Sequence, residues 1–126
     1  NTNAADNEFF DERGSGQRSL IDVGSDGDDY RIFATGSLFF SGIDITTNQS
    51  TVFTVFNGSS SVISINGTAA TGTTGTNGIN QTQAIAYSEG NNDFYNGTMQ
   101  EFIVYNSDQS SNRTGLESDL SDFYDI

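Results

Sequence analysis

Carboxylates are the side chains of this 126-residue sequence with the greatest capacity for chemistry, because seventeen residues are Asp or Glu. One cluster, in residues 24–29, contains Asp26, Asp28 and Asp29. Oxygen ligands of this kind are the ones that Ca²⁺ prefers, so the cluster is a candidate calcium site. An acidic hairpin turn explains the same residues without a ligand, because Asp26-Gly27 by itself suits a tight turn, and this is the favoured interpretation.

A pair of carboxylates acting on a glycosidic bond is the second chemistry to consider. Glycoside hydrolases use two carboxyl groups roughly 5–10 Å apart. Asp44 lies in a strand-like run, but no Glu stands two positions to either side of it, and the next acidic residue is Glu89. A glycoside hydrolase fragment is therefore the least favoured hypothesis, and we expect no catalytic residues.

The residue types that are missing exclude much other chemistry. The sequence contains no His, Lys, Cys, Trp or Pro. Without Cys and His there is no structural zinc site and no thiol or imidazole catalysis. Without Lys there is no Schiff base and no lysine of a phosphate-binding loop. We expect a protein that is not an enzyme and has no cofactor apart from the calcium considered above.

Sugar binding needs exposed aromatic faces or dense amide and hydroxyl groups at a concave surface. Most of the aromatic residues are expected to fill the core, but Tyr95 has polar neighbours on both sides and is expected to be exposed. The candidate glycan site consists of Tyr95 with Asn92, Asp93, Asn77 and Asn80.

The net charge of −13 makes nucleic acid and anionic membranes unfavourable partners. The four basic residues are all arginine, whereas residues 45–88 contain no charged residue at all. A neutral surface within an anionic chain suits contact with a neighbouring subunit, because no charge then has to be desolvated. No apolar run approaches the length of a membrane span.

Alternation of β-branched and aromatic residues with polar ones predicts short strands that position these side chains. Residues 51–56 and 62–65 are expected to pair as an antiparallel hairpin, and residues 71–80 to form a mobile loop. The predicted strands are residues 19–23, 30–34, 37–40, 42–46, 51–56, 62–65, 83–87 and 98–105.

The last residues follow a helical spacing instead and predict a helix at about residues 111–124. Ser110 or Ser111 is expected to cap it, and Thr114 with Glu117 offers a capping box. Its apolar stripe is expected to dock on a sheet and consists of Leu116, Leu120, Phe123 and Tyr124.

Two of these segments also resemble a known family. Residues 96–106, Asn-Gly-Thr-Met-Gln-Glu-Phe-Ile-Val-Tyr-Asn, resemble the last core strand of laminin-G-like, concanavalin A-like sandwich domains. The helical residues that follow resemble the closing helix of the same domains. The resemblance also implies a structural role for Glu101, which would pair with backbone or Arg near the sheet edge. The resemblance and the strand pattern together imply an all-β fold, an antiparallel β-sandwich of the jelly-roll type with one short C-terminal helix. Residues 1–126 are expected to form a single such domain, or the C-terminal part of a longer chain.

Domains of this family in a similar Ser/Thr/Asn-rich style occur in marine bacteriophage virions and in secreted proteins of marine bacteria. The resemblance implies a non-enzymatic virion structural or attachment module of a fibre, tail or capsid surface, located on the virion or extracellularly. The expected partners are further copies of the chain, other virion proteins and host-surface glycans. The alternative is a carbohydrate-binding, calcium-dependent module of a secreted marine bacterial protein.

Two departures from the family pattern bear on assembly. Domains of this family are commonly longer, and they open with strands that contain Trp, which this sequence lacks. The first strands are therefore expected either to be trimmed or to come from an unseen segment or another chain. Uncovered sheet edges are rare in natural proteins, so the sequence favours an assembly over a free monomer.

Overall fold

The computed structural model describes residues 8–14, 17–23, 29–46, 48–76, 82–87 and 94–126. Within these ranges the chain forms eight strands, two short 3-10 turns and one α-helix. The strands are β1 (Glu8–Gly14), β2 (Gln17–Val23), β3 (Asp29–Ala34), β4 (Ser37–Asp44), β5 (Val52–Val55), β6 (Ser61–Ile65), β7 (Thr68–Gly72) and β8 (Thr82–Ile85). The helix α1 is Arg113–Tyr124, and the turns are Gly58–Ser60 and Ser110–Asn112.

Two antiparallel sheets account for these strands. The larger sheet has the order β4-β3-β2-β1-β8, so β1 to β4 form a continuous meander and β8 adds to its edge. The smaller sheet has the order β5-β6-β7. The structure is therefore mostly β, with two antiparallel sheets and a C-terminal helix, as the sequence pattern predicts.

The strand register places one apolar row across the larger sheet. Phe10 on β1 lies opposite Ile21 on β2, Ile21 opposite Ile32 on β3, and Ile32 opposite Phe39 on β4. Residues directly opposite on neighbouring strands share a face of the sheet. This row continues into Ile85 on β8, opposite Phe10.

The smaller sheet is built from tight hairpins. The predicted pairing of residues 51–56 with 62–65 is confirmed, with Thr54 opposite Ile63. The β6–β7 turn has Asn66 and Gly67 at φ 48° and 80°, the left-handed backbone that a tight hairpin requires. Asn66 Oδ1 also accepts a 2.8 Å hydrogen bond from the Thr51 amide, which holds the entry to β5.

The core lies between the two sheets. Its buried cluster takes five side chains from the larger sheet and two from β6. Phe10, Ile32 and Ile63 are fully buried, so the two sheets pack face to face through this layer. The cluster consists of Phe10, Ile21, Val23, Tyr30, Ile32, Ile63 and Ile65.

Three differences from the predicted strands have physical reasons. The predicted strands 37–40 and 42–46 form one strand, β4, in which Gly42 takes φ +66° close to a register shift against β3. β7 covers the beginning of the predicted loop 71–80, and the loop residues 77–80 lie outside the described residues. β1 was not predicted, because its Glu-Phe-Phe-Asp-Glu-Arg-Gly run mixes charged and apolar residues on both faces.

The C-terminal helix is confirmed, but its predicted cap is wrong. Asn112 occupies the N-cap position and makes no side-chain capping bond, since Ser110 and Ser111 already belong to the preceding 3-10 turn. The expected docking is only partial, because Leu116, Leu120 and Tyr124 are half-buried whereas Phe123 is 79% exposed. No helix among the described residues has the length and apolarity to cross a membrane.

Candidate functional site

A large concave surface of the described residues is a cleft beside the edge strand β5. It has a volume of about 1520 Å³ and reaches from the core between the sheets to the apolar side of α1. We call it the β5 cleft. Its apolar lining includes Phe10, Phe53, Val55, Phe102, Leu116 and Leu120.

The far wall of the β5 cleft is the stretch of residues 97–106, called here the wall segment. Its sequence predicts a strand, yet it takes no regular secondary structure, and the prediction of a strand at 98–105 is wrong. Among the described residues, no backbone hydrogen bond involves any residue of the wall segment. Ile103, Val104 and Tyr105 are 47%, 48% and 46% exposed, although they are consecutive. Both sides of this stretch are therefore accessible.

Side-chain contacts tie the wall segment and the residues directly after it to the residues on either side of β5. Gln49 Nε2 donates a 2.7 Å hydrogen bond to Gln100 Oε1, and Asn57 Nδ2 donates a 3.4 Å hydrogen bond to Asp108 Oδ2. Each pair is separated by 51 positions in the sequence. The two stretches therefore run in the same direction along the cleft.

One aromatic contact anchors the wall segment to the core. The Phe102 ring stacks on the fully buried Phe10 ring, with a centroid separation of 5.6 Å and an interplanar angle of 18°. Offset stacks of this kind add to the free energy of burying both rings. The wall segment is thus fixed in place without a strand ladder.

A carboxylate with one unpaired oxygen lies in the lining of the β5 cleft. Glu117 is the buried residue of α1, at 6% exposure, and its Oε2 accepts a 2.7 Å hydrogen bond from Arg113 Nη1. Arg113 Nη1 is also 3.1 Å from Ser64 Oγ on β6, which positions the start of the helix on the smaller sheet. Glu117 Oε1 is buried and has no hydrogen-bond partner among the described residues.

Sequence reasoning missed this pair. The sequence pattern indicates a capping box between Thr114 and Glu117, whereas in the structure Glu117 accepts a hydrogen bond from Arg113. The i, i+4 spacing of Arg113 and Glu117 was a signal that could have found it.

The charge of the β5 cleft is entirely negative. Its lining includes Glu101, Asp108, Glu117 and Asp119, and none of the described residues that line it is an arginine. Hydrogen bonds from the Ser110 hydroxyl and amide lower the pKa of Asp108, which keeps this rim carboxylate ionised. Burial, then the hydrogen bond to Glu101 and its charge, raise the pKa of Tyr124.

All four arginines form ion pairs within the chain. Arg113 pairs with Glu117, and the other three lie on the outer face of the larger sheet. There Arg18 bridges Glu8 at 2.8 Å and Asp11 at 2.7 Å. The same face carries the pairs Arg13–Asp11 and Arg31–Asp22, beside a shallow pocket of about 200 Å³.

The predicted glycan site is only partly described. Asn77, Asn80, Asn92 and Asp93 lie outside the described residues. Tyr95 is half-buried, not exposed as expected, because its ring packs on Phe9 at 4.7 Å and lies against the Gly97 backbone. Burial, and to a lesser extent Tyr30, raise the pKa of Tyr95. The neighbouring Phe94 is the exposed ring, at 64%.

The predicted calcium site is described at one residue. Asp26 and Asp28 lie outside the described residues. Asp29 Oδ2 accepts a 2.8 Å hydrogen bond from the Gly42 amide, so this carboxylate supports the β3–β4 irregularity. In the part of the chain that the structure describes, no three acidic side chains converge on a position for a metal ion.

Asp44 and Glu101 make different contacts in the structure. Asp44 is exposed at the end of β4 and stands opposite Asp29 in the strand register. Glu101 is exposed beside the β5 cleft, where its Oε2 accepts a 3.1 Å hydrogen bond from the Tyr124 hydroxyl. Glu101 therefore holds the end of α1 against the wall segment.

Comparisons with known proteins add no family to this description. No family model, no curated protein and no solved structure matches the chain. A functional proposal for this chain therefore rests on the geometry of the site.

Proposed function

We propose that this chain is a non-enzymatic structural module that holds neighbouring subunits together, as part of the fibre, tail or capsid surface of a virion. We also propose that its two sheets belong to a jelly-roll sandwich of the laminin-G-like, concanavalin A-like type. One observation carries the proposal: the wall segment has strand-like residues, exposed apolar side chains and no backbone partner among the described residues.

The exposed apolar side chains of the wall segment, whose backbone has no partner among the described residues, are unfavourable to leave in contact with water. Unpaired strand edges with exposed apolar residues are rare in natural proteins, because they invite pairing with other chains. An exposed apolar patch of this kind is typical of an interaction surface. The carboxylates around the β5 cleft keep the chain soluble until a partner covers it.

Cross-linking of the source assembly tests this function. A zero-length carbodiimide reagent joins a carboxylate to an amine that it touches. Because these 126 residues contain no Lys, every cross-link from their carboxylates to a lysine must reach a lysine outside them. We expect cross-links from Asp108 or Asp119 to lysines of a neighbouring subunit in intact particles. Recovery of the chain only as a free monomer without such cross-links would contradict the proposal.

A carbohydrate-binding module is the second candidate, and one observation favours it. The exposed Phe94 ring lies 5.1 Å from the Tyr87 ring, so the pair presents an aromatic surface to solvent. A glycan array with and without a chelator tests this candidate. Binding that is lost in Phe94→Ala and retained in Phe123→Ala, which removes an even more exposed ring on α1, supports it. Absence of binding to any glycan rejects it.

A further inference from the structure

We propose that the β5 cleft receives one extended strand from a partner polypeptide, and that this strand carries apolar residues alternating with Lys or Arg. The inserted strand runs antiparallel to both β5 and the wall segment and completes the smaller sheet. This inference rests on the proposed function, since it names the partner chemistry of the same surface.

The direction of the two walls sets the number of missing strands. Both sheets are antiparallel throughout, and alternate strands of an antiparallel sheet run in the same direction. β5 and the wall segment also run in the same direction, because Gln49 contacts Gln100 and Asn57 contacts Asp108. An odd number of strands therefore fits between them.

The short side chains that make the contact at one end limit the separation of the two walls, and this separation allows only one strand between them. Side chains as short as Asn and Asp extend roughly 3.5 Å from their Cα atoms. With the 3.4 Å contact between Asn57 and Asp108, the backbones are at most about 10 Å apart at this end. Neighbouring strands lie about 4.8 Å apart, so one intervening strand requires the two walls to be separated by about twice that spacing, which is close to the upper limit of about 10 Å. Three strands would need about twice as much.

The backbone of both walls is available for pairing. β5 is the edge of its sheet, with β6 on its other side. The wall segment takes part in no backbone hydrogen bond among the described residues. An extended peptide laid between them can exchange main-chain hydrogen bonds with both, which is how strand addition gives affinity. Its apolar side chains would cover Val52, Ile103 and Val104, which are now 38–48% exposed.

Charge identifies the chemistry of the partner. The cleft lining carries four carboxylates and no described arginine, and all four arginines of the chain already form internal ion pairs. A second copy, with its own net charge of −13, would bring further negative charge to this rim. A strand with basic residues is attracted to it instead. The unpaired Glu117 Oε1 supplies a buried acceptor for one cationic group or backbone amide of that strand.

Titration with defined peptides tests the inference. The probe is a blocked, fluorescently labelled octapeptide of alternating Val and Lys. The controls are the alternating Val and Glu peptide and a Val–Lys peptide with methylated backbone nitrogens. We expect at least tenfold tighter binding of the unmodified Val–Lys peptide, measured by anisotropy. We also expect affinity to fall as salt is raised, because the rim charges are exposed.

Hydrogen exchange locates the bound peptide. The amides of β5 and of the wall segment are expected to exchange rapidly in the isolated chain and at least tenfold more slowly with the Val–Lys peptide. Slow exchange of the wall segment in the isolated chain would show that the chain fills the position itself and would overturn the inference. Binding without added protection, or equal binding of the methylated peptide, would also overturn it.

Matched variants separate the cleft from general charge attraction. Asp119→Lys on the rim is expected to weaken Val–Lys binding at least fivefold. Asp44→Lys, an equal charge change at a residue of β4 that does not line the cleft, is expected to leave Val–Lys binding within twofold. Equal weakening by both variants would show non-specific attraction and overturn the inference. Dimers at micromolar concentration in a sedimentation experiment would assign the cleft to a second copy of the chain. That result would also overturn the inference.

The cross-linking test and the peptide-binding test distinguish failure of the proposed function from failure of this inference. Cross-links in the intact assembly without peptide binding would overturn this inference and leave the proposed function standing. Absence of both would overturn both.

Discussion

Arg113 Nη1 donates a 2.7 Å hydrogen bond to Glu117 Oε2, one turn further along α1, and this pair is the polar contact that joins the helix to the smaller sheet. The carboxylate is buried, whereas the guanidinium is partly exposed, with 23% of its side chain accessible. The pair thus lies at the boundary between the β5 cleft and the sheet. Through Arg113, the pair contacts both Ser64 on β6 and the Gly67 carbonyl in the β6–β7 turn.

Removing the guanidinium is expected to destabilise the protein. Arg113→Ala leaves the Glu117 charge buried without its partner, which in fully buried pairs costs about 3–5 kcal/mol. Because Arg113 is partly exposed, we expect a loss of about 2 kcal/mol in the free energy of unfolding, measured by urea denaturation. The double variant Arg113→Met, Glu117→Leu is expected to recover most of it. Equal stability of Arg113→Ala and the parent chain would contradict the role assigned to this pair.

Acid is expected to destabilise the protein through Asp11. Burial alone would raise the pKa of this carboxyl, but hydrogen bonds from Arg18 and Arg13, with their charges, lower it below its ordinary value of 3.8. A group whose pKa is depressed by folding contributes stability above its unfolded pKa and loses it as the pH falls through the folded value. The free energy of unfolding is therefore expected to fall below about pH 4.

Urea denaturation between pH 7 and pH 2.5 measures this effect. Asp11→Asn is expected to be less stable at pH 7 and to show a shallower decline in acid, because the titrating group is gone. A parallel decline in the parent chain and in Asp11→Asn would assign the acid sensitivity to other carboxylates.

Two phenylalanines of the C-terminal region are expected to respond differently to truncation. Phe102→Ala removes the ring stacked on Phe10 and opens a void at the core, so we expect a loss of about 2–3 kcal/mol. Phe123→Ala changes a ring that is 79% exposed, and we expect a change within about 0.5 kcal/mol. Thermal or urea denaturation of both variants checks the difference. A similar loss for both would mean that the helix packs more tightly than its exposure indicates.

Two glycines are expected to respond to alanine with opposite signs. In Gly75→Ala the new Cβ would lie 2.0 Å from the Thr35 carbonyl oxygen, and backbone at that position cannot move away cheaply. We expect a loss of at least 1 kcal/mol from such overpacking. In Gly115→Ala, on the open side of α1, nothing lies within 4 Å, and helix propensity favours alanine by up to about 1 kcal/mol. Melting temperatures of the two variants are expected to move in opposite directions.

The predictable part of the fold was the part controlled by local pattern. Strand-like alternation identified β2, β3, β5 and β6, and the Asn66-Gly67 turn adopts the positive φ values that its residue types favour. The helical spacing identified α1 within two residues at its start. In each case neighbouring residues along the chain supply the signal, so no distant contact is needed to read it.

The candidate site was less predictable, because its features depend on distant contacts. The 98–105 sequence has strand character, but a strand forms only where a neighbour stands at the right distance to share hydrogen bonds. No described residue takes that position beside the wall segment. Tyr95 likewise looked exposed from its polar neighbours, whereas Phe9, far earlier in the chain, covers its ring.

By itself the sequence determined the antiparallel strand pattern, the helix and the chemistry that missing His, Lys and Cys exclude, because these depend on residue type and short-range spacing. Only the tertiary structure decided that charged β1 lies buried, since Arg18 on the next strand neutralises Glu8 and Asp11 there. It alone also decided that β5 and the wall segment run in the same direction along one cleft. Such a relationship joins residues about fifty positions apart, and no local pattern encodes that distance.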